Sequence, residues 1–277
     1  MNAILIGAGV GALSGLHASI WGMYKDAVHE GFGRLRFLRS VLIGAACGAT
    51  IQAILRLDVT RPAMLFLLFG LAYAAERGIV ETWKTFFRDE DQSKYFIPMQ
   101  FSVGGRPVES RALRMLAGFG YMLIVGLCLR GIDALDQRLD TSLLTAAISG
   151  FIVGIVIAIG GGWKDAPKEG FDLLKFFRSP AMTVAYALIL SAFTSRHLLI
   201  AVAAIGFERA TAETWKTFFF PTRPRGKFAG KPVTHPQMVA HRQWFIAPYA
   251  AIWIAVIATV ALAFTRPSLG LVAQVIP

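Results

Sequence analysis

Apolar runs dominate this chain, and their lengths leave it few architectures. Eight of them, at 2–24, 41–57, 62–87, 111–131, 142–163, 180–194, 197–219 and 244–265, approach or reach what a membrane crossing requires. A helix rising about 1.5 Å per residue needs roughly 20 residues to cross a hydrocarbon core about 30 Å thick. Hydrophobic residues make up 55% of the chain and charged ones only 16%, whereas soluble domains run at about 45–50% apolar with far more charge. The expected fold is therefore an all-α, polytopic membrane protein with about eight transmembrane helices. The first run has no basic leader and is long enough to span, so it reads as a membrane helix rather than a secretory signal. Cys47 and Cys128 both lie in apolar stretches and form neither a disulfide framework nor a metal motif.

Charge is distributed unevenly between the ends of these runs. Segments 24–40, 76–114, 164–179 and 208–243, which fall on one side if the crossings alternate, hold 22 of the 28 Lys and Arg residues. The positive-inside rule then places both termini outside and the basic loops in the cytoplasm or matrix, across a bacterial inner membrane or an organellar inner membrane.

The sequence also repeats itself. Residues 25–40, KDAVHEGFGRLRFLRS, match residues 164–179, KDAPKEGFDLLKFFRS, at ten of sixteen positions, 139 residues apart. ERGIVETWKTFF (76–87) returns as ERATAETWKTFF (208–219), nine of twelve identical, and GRPV (105–108) returns as GKPV (230–233). Gly11 and Gly15 map onto Gly150 and Gly154 at the 139-residue offset. These matches predict a parallel tandem duplication of a four-helix unit: an N-terminal repeat at 1–135, an outer linker at 136–141 and a C-terminal repeat at 142–277, with a pseudo-two-fold axis along the membrane normal. The glycines, with Gly7, offer a flat strip for close helix packing, expected at the interface between halves.

Three groups of residues carry the chemistry. Only 13 apolar residues precede Glu76 in the third crossing and 10 precede Glu208 in the seventh. These runs are too short to bring the glutamates back to water, so Glu76, Arg77, Glu208 and Arg209 are expected inside the membrane near the inner leaflet, where each charge costs at least about 2.5 kcal/mol and needs a partner. Arg77, Glu81 and Lys84, like Arg209, Glu213 and Lys216, share one helix face and can form a local ion network that leaves Glu76 over. Trp83, Phe86 and Phe87 read as an inner-interface aromatic belt, with Lys84 and Lys216 snorkelling. In the basic segments, Asp26 and Glu30, and likewise Asp165 and Glu169, are spaced i, i+4. Asp165 reads as a helix N-cap ahead of Pro167, with Glu169 in the first turn. The stretch with Phe32, Leu35 and Phe37 among Arg34, Arg36 and Arg39 suits a segment lying in the headgroup layer.

The charged positions kept in both copies number six cations (Lys25, Arg36, Arg39, Arg77, Lys84, Arg106) against four anions (Asp26, Glu30, Glu76, Glu81). A closed structural network tends to balance; a surplus of two per half suits an anion. The expected substrate or ion site comprises Glu76, Arg77, Glu81, Lys84, Glu208, Arg209, Glu213 and Lys216. The expected inner-mouth or headgroup-binding set is Lys25, Asp26, Glu30, Arg39, Lys164, Asp165, Glu169 and Arg178.

The first functional reading is a transporter, channel or lipid translocator for an anionic solute or lipid headgroup, with no cofactor. The second is a non-catalytic subunit or assembly factor whose loops at 88–110 and 221–235 dock other membrane subunits. The third is a membrane enzyme acting on a phosphorylated lipid or polyprenyl substrate, in which Asp26/Glu30 and Asp165/Glu169 share Mg²⁺. Anionic lipids of the bilayer are expected partners and nucleic acid is not. No Walker, HExxH, GxSxG or CxxC pattern occurs, and the five histidines do not match between halves. Of these only His17 lies in the first span.

Overall fold

The computed structural model describes residues 2–135, 142–219 and 226–271. They form α1 (Ala3–Glu30), α2 (Arg34–Leu55), α3 (Pro62–Thr82) continued by a π turn (Trp83–Phe87), a short hairpin of β1 (Ser102–Val103) and β2 (Arg106–Pro107), α4 (Arg111–Leu135), α5 (Leu143–Glu169), α6 (Leu173–Leu190), α7 (His197–Phe218), α8 (Gln237–His241) and α9 (Ile246–Phe264). The linker at 136–141 and residues 221–225 of the second basic loop lie outside the described residues.

Seven helices among the described residues are long and apolar enough to cross a membrane: α1, α2, α3 with its π turn, α4, α5, α6 and the stretch Gln237–Phe264. The expected crossing at 197–219 is a helix but falls outside that set, because α7 carries Glu208, Arg209, Glu213 and Lys216. Its environment accounts for the difference. Ala201, Ala203, Ala204, Phe207, Glu208, Ala210 and Ala212 of α7 are all fully buried, so α7 faces other helices rather than lipid and needs little hydropathy of its own.

The glycine strip packs differently from the expectation. Gly11 and Gly15 of α1 lie against the backbone of Gly44 and Ser40 in α2, where any Cβ would collide. Gly150 and Gly154 of α5 abut Thr183 and Pro180 in α6 in the same way. The strips therefore close two hairpins, α1–α2 and α5–α6, instead of joining the two halves of the chain. That junction is the crossing of α3 and α7, where Gly206 meets the Gly70 carbonyl and Phe66 stacks on Phe207 with ring centroids 4.2 Å apart.

Both hairpins turn the same way. Gly31 (φ 69°, ψ 172°) and Gly170 (φ 81°, ψ 162°) end α1 and α5 in backbone conformations that L-residues rarely adopt. A salt bridge spans each turn, Arg36 to Glu30 at 2.7 Å and Lys175 to Glu169 at 2.7 Å. Two local expectations are corrected here. Asp165 caps nothing: it lies in the last turns of α5, Pro167 is inside that helix, and Asp172 caps α6 by accepting from the Lys175 amide at 3.1 Å. Arg34–Ser40 is the start of α2 itself rather than a separate headgroup-layer segment.

Candidate functional site

The ends of α1, α3, α5 and α7 that carry the repeated motifs converge at one end of the bundle, and the loops beneath them interlock. The Phe96 amide donates to the Lys227 carbonyl at 2.7 Å, the Lys231 ammonium donates to the Ser93 carbonyl at 2.9 Å, and the Trp163 indole donates to the Ser102 carbonyl at 2.8 Å. The two loops expected to dock partners thus pack, in their described parts, on each other.

Above this plate lies a charged belt. Glu76 is fully buried, and the guanidinium of Arg77 grips it with two bonds, Nε to Oε2 at 2.5 Å and Nη2 to Oε1 at 2.6 Å. Arg77 also donates to Ser40 Oγ at 3.2 Å, lies 3.6 Å from Glu81, and is covered by the Trp21 ring at 5.7 Å. The expectation that Glu76 would be left over is therefore wrong: a neighbour at i+1 reaches back to chelate it, which helix-face spacing does not anticipate.

The second copy is arranged differently. Glu208 is equally buried, but among the described residues it accepts only from Ser179 Oγ, at 2.7 Å, and its Oε2 has no hydrogen-bond partner. Arg209 turns the other way, to Glu213 at 2.9 Å, with Lys216 3.7 Å from the same carboxylate. Glu81, paired to Lys84 at 3.3 Å, also lies within electrostatic range of Lys164 and Arg209, and Glu213 lies within range of Lys25.

The structure brings the first set of expected residues together with Lys25, Arg39, Lys164 and Arg178, and leaves the four acidic residues of the second set apart. Asp26 and Glu30 hold Lys227 at 2.8 and 3.3 Å; Asp165 and Glu169 hold Lys175 at 3.2 and 2.7 Å. Burial alone would lower Lys227, but Asp26 and Glu30 outweigh it and hold the ammonium above its ordinary pKa. Beside it, burial and the Glu30 carboxylate push the Tyr95 hydroxyl well up.

The decisive feature of the belt is what remains after this pairing. Among the described residues, no carboxylate oxygen lies within salt-bridge distance of Lys25, Arg39, Lys164 or Arg178. The Nε atoms of Arg39 and Arg178 are buried without a hydrogen-bond partner, and the Lys164 ammonium has only the Met99 sulfur, at 3.6 Å.

Sequence reasoning missed the aromatic lining above the belt. The Tyr73 hydroxyl lies 3.2 Å from His17 Nδ1 and accepts from the Trp21 indole at 3.1 Å; Tyr249 stacks on His17 at 4.3 Å and lies 2.5 Å from Thr214 Oγ1. Only His17 had drawn notice, as a lone ionisable group in an apolar run. Trp21, Tyr73 and Tyr249 look like ordinary apolar residues of their spans. Ser40 and Ser179 were legible as repeated positions, Lys227 not at all. Compared with known families, curated proteins and solved structures, the chain matches none.

Proposed function

We propose that the protein is an integral membrane transporter, channel or lipid translocator that binds an anionic solute or lipid headgroup at the charged belt. The observation that carries this reading is the set of four cations, Lys25, Arg39, Lys164 and Arg178, left without a carboxylate in a largely enclosed layer. Charges in such a setting cost free energy unless something neutralises them, and a phosphate or carboxylate is the complement they lack. The repeated motifs support an ancestral tandem duplication, in which the α3–α7 crossing would lie on the pseudo-axis: Ala74 and Gly206, 132 residues apart, meet there. The basic end would face the cytoplasm or matrix, with both termini outside.

A second reading, a non-catalytic subunit or assembly factor, is favoured by the packed α3–α7 seam, where Glu76 and Glu208 are fully buried and Phe66 stacks on Phe207. The enzyme reading draws less support, since Lys227 and Lys175 occupy the carboxylate pairs that would have held Mg²⁺.

Reconstitution into liposomes separates these readings. Lys164→Gln and Arg178→Gln break no salt bridge among the described residues, so their thermal melts in detergent should lie close to wild type. Phosphate uptake or movement of a fluorescent phosphatidylglycerol between leaflets should fall about tenfold, the worth of one or two charge-assisted hydrogen bonds. Flux unchanged in both variants would overturn the transport reading.

A further inference from the structure

The two copies of the belt are covered differently. In the first half, Trp21 lies over Arg77, and Trp21, Tyr73 and His17 form a hydrogen-bonded plug closed from the side by α9 through Tyr249. At the same register in the second half stand Gly160 for Trp21, Val156 for His17 and Ile205 for Tyr73. No plug can form from those residues. A Cβ on Gly160 or Gly161 would meet nothing within 4 Å, and Val156, one turn deeper on the same face of α5, is 51% exposed where His17 is 1%.

The arginine beneath responds. The Arg77 side chain is 7% exposed, whereas that of Arg209, over which no ring lies among the described residues, is 30% exposed, and that of the neighbouring Glu81 is 38% exposed. Helix packing keeps this side open. α9 packs on α1 and α3, but α4, which takes the corresponding place, barely touches α5. The gap between α4 and α5 therefore opens sideways. The face of α5 here is apolar and open, with Val156 exposed and no atom near a Cβ on Gly160 or Gly161, and Trp163 follows, its indole tied to the Ser102 carbonyl. Arg209, Lys164 and Lys84 gather around Glu81 at the base of the gap.

We infer that the second half alone carries an open binding site, and that its ligand is the phosphate of an anionic glycerophospholipid held by Arg209 and Lys164 while the acyl chains lie in the α4–α5 gap. This deepens the transport reading and rests on it. The apolar wall selects lipid over a soluble anion, because a hydrated ion reaching Arg209 from the side would be stripped of water against Val156, whereas a lipid presents hydrocarbon to that wall and charge to the guanidinium. Arg209 lies seven residues, about 10 Å, deeper than Lys216 in the aromatic belt, so the phosphate would sit below its resting headgroup plane. That is the position of a lipid drawn into a translocating protein.

The test restores the missing cover. Purified protein in detergent is titrated with short-chain phosphatidylglycerol, with phosphatidylcholine and with inorganic phosphate, and bound lipid is counted by native mass spectrometry. Gly160→Trp and Arg209→Gln should each weaken phosphatidylglycerol binding about tenfold, the value of one charge-assisted contact. Gly9→Trp, on an open glycine of α1, adds the same bulk on a helix that does not border the gap and should bind as wild type. Excess inorganic phosphate should not displace the lipid. Wild-type binding by both Gly160→Trp and Arg209→Gln would overturn the inference, as would displacement by phosphate, which would mark the site as one for a soluble anion. Should Gly160→Trp or Arg209→Gln fail to fold, Lys164→Gln, which breaks no salt bridge among the described residues, and the phosphate competition still decide. This readout is independent of flux: lipid binding lost in the variants of a protein whose wild type moves neither phosphate nor lipid in liposomes would refute the transport reading and leave the lipid site standing, and transport by a protein whose variants bind lipid as wild type would refute the lipid site alone.

Discussion

Glu76 and Glu208 occupy the same place in two copies of one motif, yet removing the charge of one has a different consequence from removing that of the other. Glu76 neutralises Arg77 through two short bonds in a fully buried setting. Glu76→Gln leaves that guanidinium facing only Ser40 and the more distant Glu81, and breaking a buried pair by removing one partner costs about 3–5 kcal/mol. Glu208 has only the Ser179 hydroxyl, which a glutamine oxygen can also accept. Glu208→Gln should therefore change stability by less than about 1 kcal/mol or raise it, since it removes an unpaired buried charge. Thermal melting of the two variants in detergent checks this, and equal losses would mean that the two glutamates are held alike. Run length alone leads to the expectation that both residues lie away from water inside the membrane, and both are fully buried in the bundle. The sequence could not distinguish them, because which way a flexible arginine turns depends on neighbours such as Trp21 and Gly160, contributed by other helices.

At the scale of elements, the lengths of the apolar runs foretold nearly every helix, since the hydrocarbon thickness fixes how long a span must be. What they hid was how far the helices run on beyond the apolar stretch. α1 and α5 continue through Lys25–Glu30 and Lys164–Glu169, so carboxylates that read as caps or as loop residues are the last turn of a helix, where they tie down lysines instead. The glycine spacing was legible as a packing strip, but spacing alone cannot name the partner: α1 chooses α2 because Gly44 and Gly48 present an equally flat face only four residues apart. The asymmetry of that strip is testable. A leucine at Gly11 must push apart two backbones, and overpacking of this kind costs about 1–3 kcal/mol or more. Gly9, two residues away on the same helix, meets nothing within 4 Å. Gly9→Leu should therefore melt as wild type while Gly11→Leu melts markedly lower; identical melts would place the α1–α2 contact elsewhere.

At the scale of the molecule, the belt and the plate beneath it form a single polarised end, and the fold builds that end by bringing together segments far apart in the chain. The Asp26–Lys227 and Glu30–Lys227 bridges join residues some two hundred positions apart, and Trp163 is fastened to the loop after α3. A bundle with 22 of its 28 basic residues in the segments of this end cannot be indifferent to which way it sits in a bilayer, because Lys and Arg resist translocation. The loop tips make the orientation measurable. Val103 is exposed on the hairpin of the basic end, and Asp58 lies exposed in the turn between α2 and α3 at the opposite end. With Cys47 and Cys128 replaced by alanine, Asp58→Cys should react with a membrane-impermeant maleimide on intact cells or mitoplasts, and Val103→Cys only after permeabilisation. The opposite pattern would turn the protein over. It would then set Lys25, Arg39, Lys164 and Arg178 toward the outer leaflet, and the lipid proposed to bind beside α5 would have to come from that leaflet.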